Sequence, residues 1–445
     1  MQNTKILKIL LVYPLPKENN PVKKHRQQRP TIPPVTIAYL AGYIPSMHNI
    51  TVIDERVDPI PFNSCCDFVA ISATTANVLR AYDIAEFYKK RNIPVIIGGI
   101  HAALNQEEVL RHCDSICISE AENLMPKIIQ DVQNNCLKRI YSDEFPSLDN
   151  IPFARYDLLS LKKYSKPAPF YKKPLIPIFF SRGCPHNCYY CLSPVMYGRK
   201  MRFRPVAEFV EEIKYQNAEV YWITDDNLLA NPEKASELLE ALIPLKKKFL
   251  AQFDTRSYLY PELIKLAGKA GLMMAQVGIE SFDNNLLKSV NKNQNRIENY
   301  EALVKVFQDA GISVQATVMV GFEDDTAEII SGIARNLIKY KFKDAGISMI
   351  TPYPGTRFFQ EMDKKGLILT RDWSQYRRNF PVIVPDSLTY NQYIDLYWNV
   401  WKEFFSYKNI IKRMMFKPSK FWLLFFLWSI SVKKKIAERI NPMTD

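Results

Sequence analysis

Two stretches of the chain alternate short apolar runs with amphipathic patterns. From residue 6 to about 135 the runs are ILKILLVY, ITVID, FVAIS, IPVIIGG and SICIS. Between them, TIAYLAGYI, NVLRAYDIAEFYKKR, QEEVLRHC and LMPKIIQDV place apolar residues at three- and four-residue intervals. Runs that are apolar at nearly every position predict strands buried on both faces. Strands alternating with helices predict a doubly wound, Rossmann-like parallel sheet, which binds ligands at the carboxyl ends of its strands.

The alternation resumes with IPIFFS, EVYWITDD, FLAQFDT, LMMAQVGIE, SVQATVMVG and AGISMIT, separated by helical patterns such as PVAEFVEEIKYQ and AEIISGIARNLIKY. Six strand–helix units in roughly 180 residues predict a partial (β/α)6 barrel rather than a closed one of eight units. Active-site residues of such a barrel sit at the carboxyl ends of its strands. Residues 145–177 carry six prolines, the composition of an extended linker. The final segment breaks the alternation and is expected to be a short helical region. The expected boundaries are 1–140 for the first sheet, 141–175 for the linker, 176–370 for the barrel and 371–445 for the C-terminal region.

Composition narrows the class. Apolar residues make up 47% and aromatics 12% of 445 residues, enough for two or three folded cores. ILKILLVYP is too short an apolar run for a signal peptide and reads as a first strand. The expected compartment is therefore the cytoplasm, where clustered cysteines point to metal before disulfide. A net charge of +13 raises nucleic acid or an anionic membrane as partners.

The cysteines carry the chemistry. SRGCPHNCYYC, just after the first barrel run, places Cys184, Cys188 and Cys191 in the spacing CxxxCxxC. An ordinary 4Fe–4S cluster takes four thiolates. A loop with three ligates three irons and leaves the fourth open to a small molecule, as catalytic metal sites require. His186 lies between these cysteines, so a zinc site of Cys184, His186, Cys188 and Cys191, organising a non-catalytic binding surface, stays open as an alternative. Cys65, Cys66, Cys113, Cys117 and Cys136 lack ligand spacing, and Cys113 and Cys117 read as core. No cysteine follows Cys191.

With this motif after the first strand of a partial barrel, the chain resembles the radical S-adenosylmethionine enzymes. The resemblance implies that the open iron chelates S-adenosylmethionine and that an electron cleaves it to a 5′-deoxyadenosyl radical. It also implies an electron donor such as a flavodoxin or ferredoxin. Tyr190 matches the family's aromatic position beside adenine. ITDDNLL resembles the second-strand signature, ending in Asp225 and Asp226. QVGIES resembles the fourth, placing Glu280 and Ser281 toward the cofactor's ribose or methionine, and MITPYPGTRF resembles the sixth-strand ending. VMVGFEDDT resembles the turn after the fifth strand, where Gly321 lets backbone approach the cofactor. GFEDDT departs from the family's frequent Gly-Leu-Pro-Gly-Glu-Thr, and Asp324 and Asp325 are equally read as helix N-caps. Arg256 in FDTRS either pairs with the cofactor carboxylate or is exposed.

Residues 5–135 resemble the cobalamin-binding domain of one large class of these enzymes, the class B methyltransferases. The resemblance rests on KILLVYP, PPVTIAYLAGYI, DFVAISATT and PVIIGGIHAAL. It implies cobalamin contacts from Ser72, Thr74, Thr75, Gly98, Gly99 and His101. The Asp-x-His-x-x-Gly motif that ligates cobalt in many cobalamin proteins is absent, with IDERVDPI after the second strand. SEAEN stands where Gly-Glu-Gly-Glu is frequent.

The tail KFWLLFFLWSISVKKK has a 12-residue apolar run, about 18 Å as a helix and too short for a hydrocarbon core of about 30 Å. Lys412, Arg413, Lys417 and Lys420 precede it and Lys433 to Lys435 follow. Residues 409–435 read either as an element lying peripherally in the inner face of a membrane or as a helix packed on the barrel. Basic residues follow no nucleic-acid-binding motif, so nucleic acid is not expected. The resulting expectation is a cobalamin-dependent radical enzyme that methylates an unactivated carbon of a small-molecule, lipid or isoprenoid substrate. The enzymatic alternative is oxidative cyclisation or rearrangement without methyl transfer.

Overall fold

The computed structural model describes residues 5–17, 29–168, 170–416 and 422–439. The chain forms two compact units. The first contains residues up to 177 together with 211–218 and 372–376, and the second contains the remainder.

In the first unit six strands form one sheet: β1 (Lys8–Tyr13), β2 (Asn49–Asp54), β3 (Phe68–Ser72), β4 (Val95–Gly98), β5 (Ser115–Cys117) and β6 (Ile140–Tyr141). Their order is 2-1-3-4-5-6, and every pairing is parallel. Right-handed crossovers in that order leave β1 toward opposite faces, so the sheet is doubly wound and its switch point lies between β1 and β3. All five residues of β3 are buried, the signature of a strand covered on both sides. The helix Val78–Lys89 buries Val78, Ala81, Tyr82, Ala85 and Tyr88, the three- and four-residue stripe expected from its sequence. Cys113 and Cys117 are core, as read from the sequence.

The stretch expected as an extended linker belongs to this unit. Leu148, Ile151, Ala154, Tyr156, Leu159 and Tyr164 are all buried. Arg155 donates its backbone N–H to Ala38 O at 2.9 Å, and Tyr164 Oη donates to Asp54 Oδ2 at 2.5 Å. Proline sets the backbone direction but does not stop the intervening apolar side chains from packing. Glu212, fully buried, accepts hydrogen bonds from Tyr39 Oη and the Ala154 N–H, both at 2.9 Å.

The second unit carries the other six-stranded sheet: β7 (Ile176–Ile178), then, after a short antiparallel pair β8 (Ser181–Arg182) and β9 (Arg202–Phe203), β10 (Val220–Ile223), β11 (Lys248–Phe253), β12 (Leu272–Glu280), β13 (Ser313–Val320) and β14 (Asp344–Met349). Their order in space follows their order in sequence, and β10 to β14 run parallel. This is the open, six-unit barrel. Helices separate the strands, and Asn231, Asp283, Thr326 and Thr356 cap four of them with side-chain oxygens.

Helices Tyr390–Phe404, Tyr407–Met414 and Trp422–Ala437 form the helical C-terminal region. The last packs inward through Phe425, Val432 and Ile436, and Trp428 Nε1 donates to Asp344 Oδ2 at 3.1 Å. No described helix is long and apolar enough to cross a membrane. Lys417 and Lys420 lie outside the described residues.

Candidate functional site

The cysteine loop lies between β8 and β9. Cys184 donates its N–H to Gly198 O at 3.3 Å, and the Cys191 N–H reaches Cys188 O at 3.1 Å. Cys184 and Cys188 are buried and Cys191 is half-buried. Burial pushes the Cys184 thiol up to about 11, reinforced by Asp226 and by the two other cysteines. Burial raises Cys191 as well. Two of the loop's thiols thus disfavour ionisation, and such a group becomes a thiolate set only when a cationic group compensates it, which iron does. Their chemistry therefore fits an iron–sulfur cluster.

The zinc arrangement is not assembled. His186 Nε2 lies 3.0 Å from Asp254 Oδ2, which engages that ring nitrogen. Among the described residues, no three His, Cys, Asp or Glu side chains converge on one ion. A cube bound by one thiolate per iron does not need that convergence. Asp254 also accepts from Asn227 Nδ2 at 3.0 Å and Arg256 Nη2 at 2.9 Å. Burial alone raises its carboxyl, but His186 and Arg256 outweigh that and hold it down to about 2. Arg256 is thus part exposed and engaged by Asp254.

The strand ends differ in what they offer. Asp225, fully buried after β10, accepts from the Phe180 N–H at 2.7 Å and from Ser181 Oγ. Burial raises it to about 6, and its bonds stitch β10 to the segment after β7. Asp226 accepts from Ser193 Oγ at 2.7 Å, close enough to Cys184 and Cys191 to raise their thiols.

At the end of β12, Glu280 adopts φ +64 and receives Lys292 Nζ at 2.9 Å. A Cβ on Gly278 would fall 2.5 Å from Glu280 Oε1 and 2.9 Å from Lys292 Nζ, so glycine makes room for the pair. Burial pushes the Lys292 ammonium down, but Glu280, Tyr190 and Cys188 hold it well above its ordinary value. Tyr190 Oη, part of the same electrostatic group, is buried without a hydrogen-bond partner. The Tyr189 N–H donates to Val290 O at 3.1 Å and Asn291 Nδ2 to Asn187 O at 2.7 Å, tying the cysteine loop to the segment that carries Lys292. Sequence reading missed Lys292. The only trace of it is a lysine in the polar stretch NKNQNR, which has no period.

Ser281 is buried, with Oγ accepting from the Asp283 N–H at 3.1 Å. Gly321 has φ +101, and a Cβ there would lie 2.0 Å from Tyr393 Oη. That oxygen donates to Val320 O at 2.8 Å. The space beside Gly321 is therefore filled by a tyrosine of helix Tyr390–Phe404. Asp325 accepts from the Gly321 and Phe322 N–H groups at 2.7 and 3.2 Å, and burial raises it to about 6. The helix cap expected from Asp324 or Asp325 is supplied by Thr326, which accepts from the Ile329 N–H.

In the first unit, Ser72, Thr74 and Thr75 follow β3, and Gly98 and Gly99 follow β4. The Thr74 N–H donates to Asn77 Oδ1 at 2.7 Å, while Thr75 Oγ1 is buried without a partner. Gly99 turns at φ +96, and a Cβ would meet Ala73 O at 2.5 Å. His101 is fully buried, and its Nε2, lacking a hydrogen bond, lies 3.8 Å from Glu108 Oε1. Glu108 in turn accepts from Tyr82 Oη at 2.8 Å and from Trp373 Nε1. His101 is therefore turned into the fold as a brace behind the Gly98–Gly99 turn. The unsatisfied Thr75 hydroxyl at a strand's carboxyl end fits a polar ligand there.

The B12-binding domain family matches residues 29–129, and the radical SAM superfamily matches residues 178–337. The chain is 30% identical over 421 residues to bacteriochlorophyllide d C-8(2)-methyltransferase of Chlorobaculum tepidum, covering 92% of each protein. It is 26% identical to the anaerobic magnesium-protoporphyrin IX monomethyl ester cyclase of Rubrivivax gelatinosus, over 85% of this chain and 75% of that protein. Among solved structures it resembles TsrM from Kitasatospora setae, a radical S-adenosylmethionine methyltransferase, with a TM-score of 0.69 at 14% identity, over 98% of this chain and 100% of that one.

Proposed function

The chain belongs to the radical SAM superfamily, in the group whose barrel follows a B12-binding domain, and from that premise we propose a cobalamin-dependent C-methyltransferase acting on an unactivated carbon of a small molecule. When bound, a 4Fe–4S cluster with S-adenosylmethionine supplies a hydrogen-abstracting radical, and cobalamin supplies the methyl group. Cys184, Cys188 and Cys191 each hold one iron and leave one without a protein ligand. Lys292, kept charged beside Glu280, offers its ammonium to the cofactor's carboxylate, and the unsatisfied Tyr190 hydroxyl offers a hydrogen bond in the same group. Asp226, next to two of the cysteines, accepts the cofactor's amino group, while Asp225 positions the strand end that carries it. Ser281 lines the ribose side. In the first unit Ser72, Thr74, Thr75 and the Gly98–Gly99 turn contact cobalamin, with His101 acting through the turn.

One observation carries this reading: three clustered thiols, two of them buried, share a loop that is tied to a buried, charge-retaining lysine. Similarity to a methyltransferase across both domains favours methyl transfer. The cyclase relative favours a second outcome, oxidative ring closure on the same cofactors. Reconstituted, reduced protein given bacteriochlorophyllide-type and isoprenoid substrates separates them by product mass. A gain of one methylene supports methylation, whereas loss of hydrogens with no added carbon overturns it. Absence of 5′-deoxyadenosine under reducing conditions overturns both. The proposed electron donor is a flavodoxin or ferredoxin.

A further inference from the structure

Helices Tyr407–Met414 and Trp422–Ala437 each bury one face and expose another apolar face. Inward, Arg413 is fully buried, donates to Lys343 O, and lies over the rings of Phe404 and Phe405 at 4.1 and 4.9 Å. Phe425, Val432 and Ile436 accompany it. Outward, Tyr407, Ile411 and Met415 recur at every fourth position and are 63, 60 and 81% exposed. Leu423 and Leu427 continue the pattern on the neighbouring helix at 46 and 43%. Lys433 Nζ sits 4.4 Å over the Tyr407 ring, joining the outer faces of the two helices.

The charge around this face is one-sided. Among the described residues from 407 to 439, and leaving out the buried Arg413, Lys408, Lys412, Lys433, Lys434, Lys435 and Arg439 oppose a single carboxylate, Glu438. Large flexible apolar side chains presented between lysines are what an anionic bilayer interface accepts: the apolar groups enter the headgroup boundary and the ammonium groups meet lipid phosphates. A second copy of the chain would instead bring two lysine-rich faces together. We infer that this face docks the protein on an anionic lipid surface, without spanning it.

The placement has a consequence for access. Asp344, which anchors Trp428, is the first residue of β14, whereas Glu280 ends the parallel strand β12. The docking face therefore lies at the amino end of the barrel strands, and the candidate site lies at their carboxyl end.

Flotation of the full-length protein with phosphatidylcholine vesicles, with and without phosphatidylglycerol, tests this. The wild type is expected to float with the anionic vesicles only and to be released by high salt. Ile411→Glu with Met415→Glu, and separately Lys408→Glu with Lys412→Glu, are expected to weaken binding roughly ten-fold or more with unchanged circular dichroism and iron content. Absence of wild-type flotation at low salt overturns the inference, as does equal binding by the Ile411→Glu, Met415→Glu protein. A dimer in sedimentation velocity that this double variant dissociates would assign the face to a second copy and overturn it too.

Discussion

The Trp373 indole donates to both carboxylate oxygens of Glu108, at 2.8 and 3.0 Å, across 265 positions of sequence. Trp373 follows the last barrel strand, yet it belongs to the first unit. There its turn packs against Thr75–Asn77 and helix Val78–Lys89. Its ring also meets His101 edge-on, with centroids 5.2 Å apart. Although burial alone would raise the Glu108 carboxyl, the neighbouring His101 ring and the donors Tyr82 and Trp373 hold it below its ordinary value. The segment behind the Gly98–Gly99 turn is thus braced by a residue from the far end of the chain.

Replacing Trp373 with phenylalanine keeps the ring and removes this donor. The expected cost is about 1.5–3 kcal/mol, the range for a hydrogen bond to a charged group. Hydrogen exchange should rise in residues 98–109 first, and cobalamin should co-elute less tightly in gel filtration. Unchanged exchange in that segment would remove the brace from the account.

Alanine at Cys184, Cys188 or Cys191 should abolish bound iron after anaerobic reconstitution and, with it, cleavage of S-adenosylmethionine. His186→Gln should retain iron, because His186 faces Asp254. Iron loss in that variant equal to the loss in the cysteine variants would place the histidine among the ligands.

Lys292→Met leaves Glu280 buried without its partner, which should cost about 3–5 kcal/mol. Adding Glu280→Gln should restore most of that stability without restoring affinity for S-adenosylmethionine. Denaturant unfolding and calorimetric titration of the single and double variants measure the two effects separately. Full recovery of affinity in the double variant would make the pair purely structural.

Asp225 gives a pH signature. Its folded value of about 6 lies above the ordinary 3.8, so its contribution to stability is present below 3.8 and is lost as pH rises through 6. Asp225→Asn removes that dependence. Relative to wild type, the variant should gain about 2 kcal/mol in unfolding free energy between pH 4.5 and 7. A constant difference between the two proteins would show that Asp225 ionises normally in the folded state.

Much of the architecture was legible in the sequence because it is periodic. Each run of the barrel, from IPIFFS to AGISMIT, became a strand of the six-stranded sheet, in order. Five of the first unit's strands were equally plain. The sixth, Ile140–Tyr141, and the pair Ser181–Arg182 and Arg202–Phe203 are two residues long, too short to show a period. Prolines in 141–175 suggested an extended linker, but the tyrosines and leucines between them are buried in the first unit.

By itself, the sequence determined the strand–helix alternation, the cysteine loop and the strand ends that face it, since all three are local patterns of apolar period or fixed spacing. Only the tertiary structure decided which charges meet. Lys292 reaches Glu280 because Val290 and Asn291 bond the cysteine loop, Tyr393 fills the space beside Gly321, and Trp373 closes on Glu108. Such pairings join residues far apart in the chain. They depend on how packed elements bring surfaces together, and burial sets their strength by removing water from around the charges.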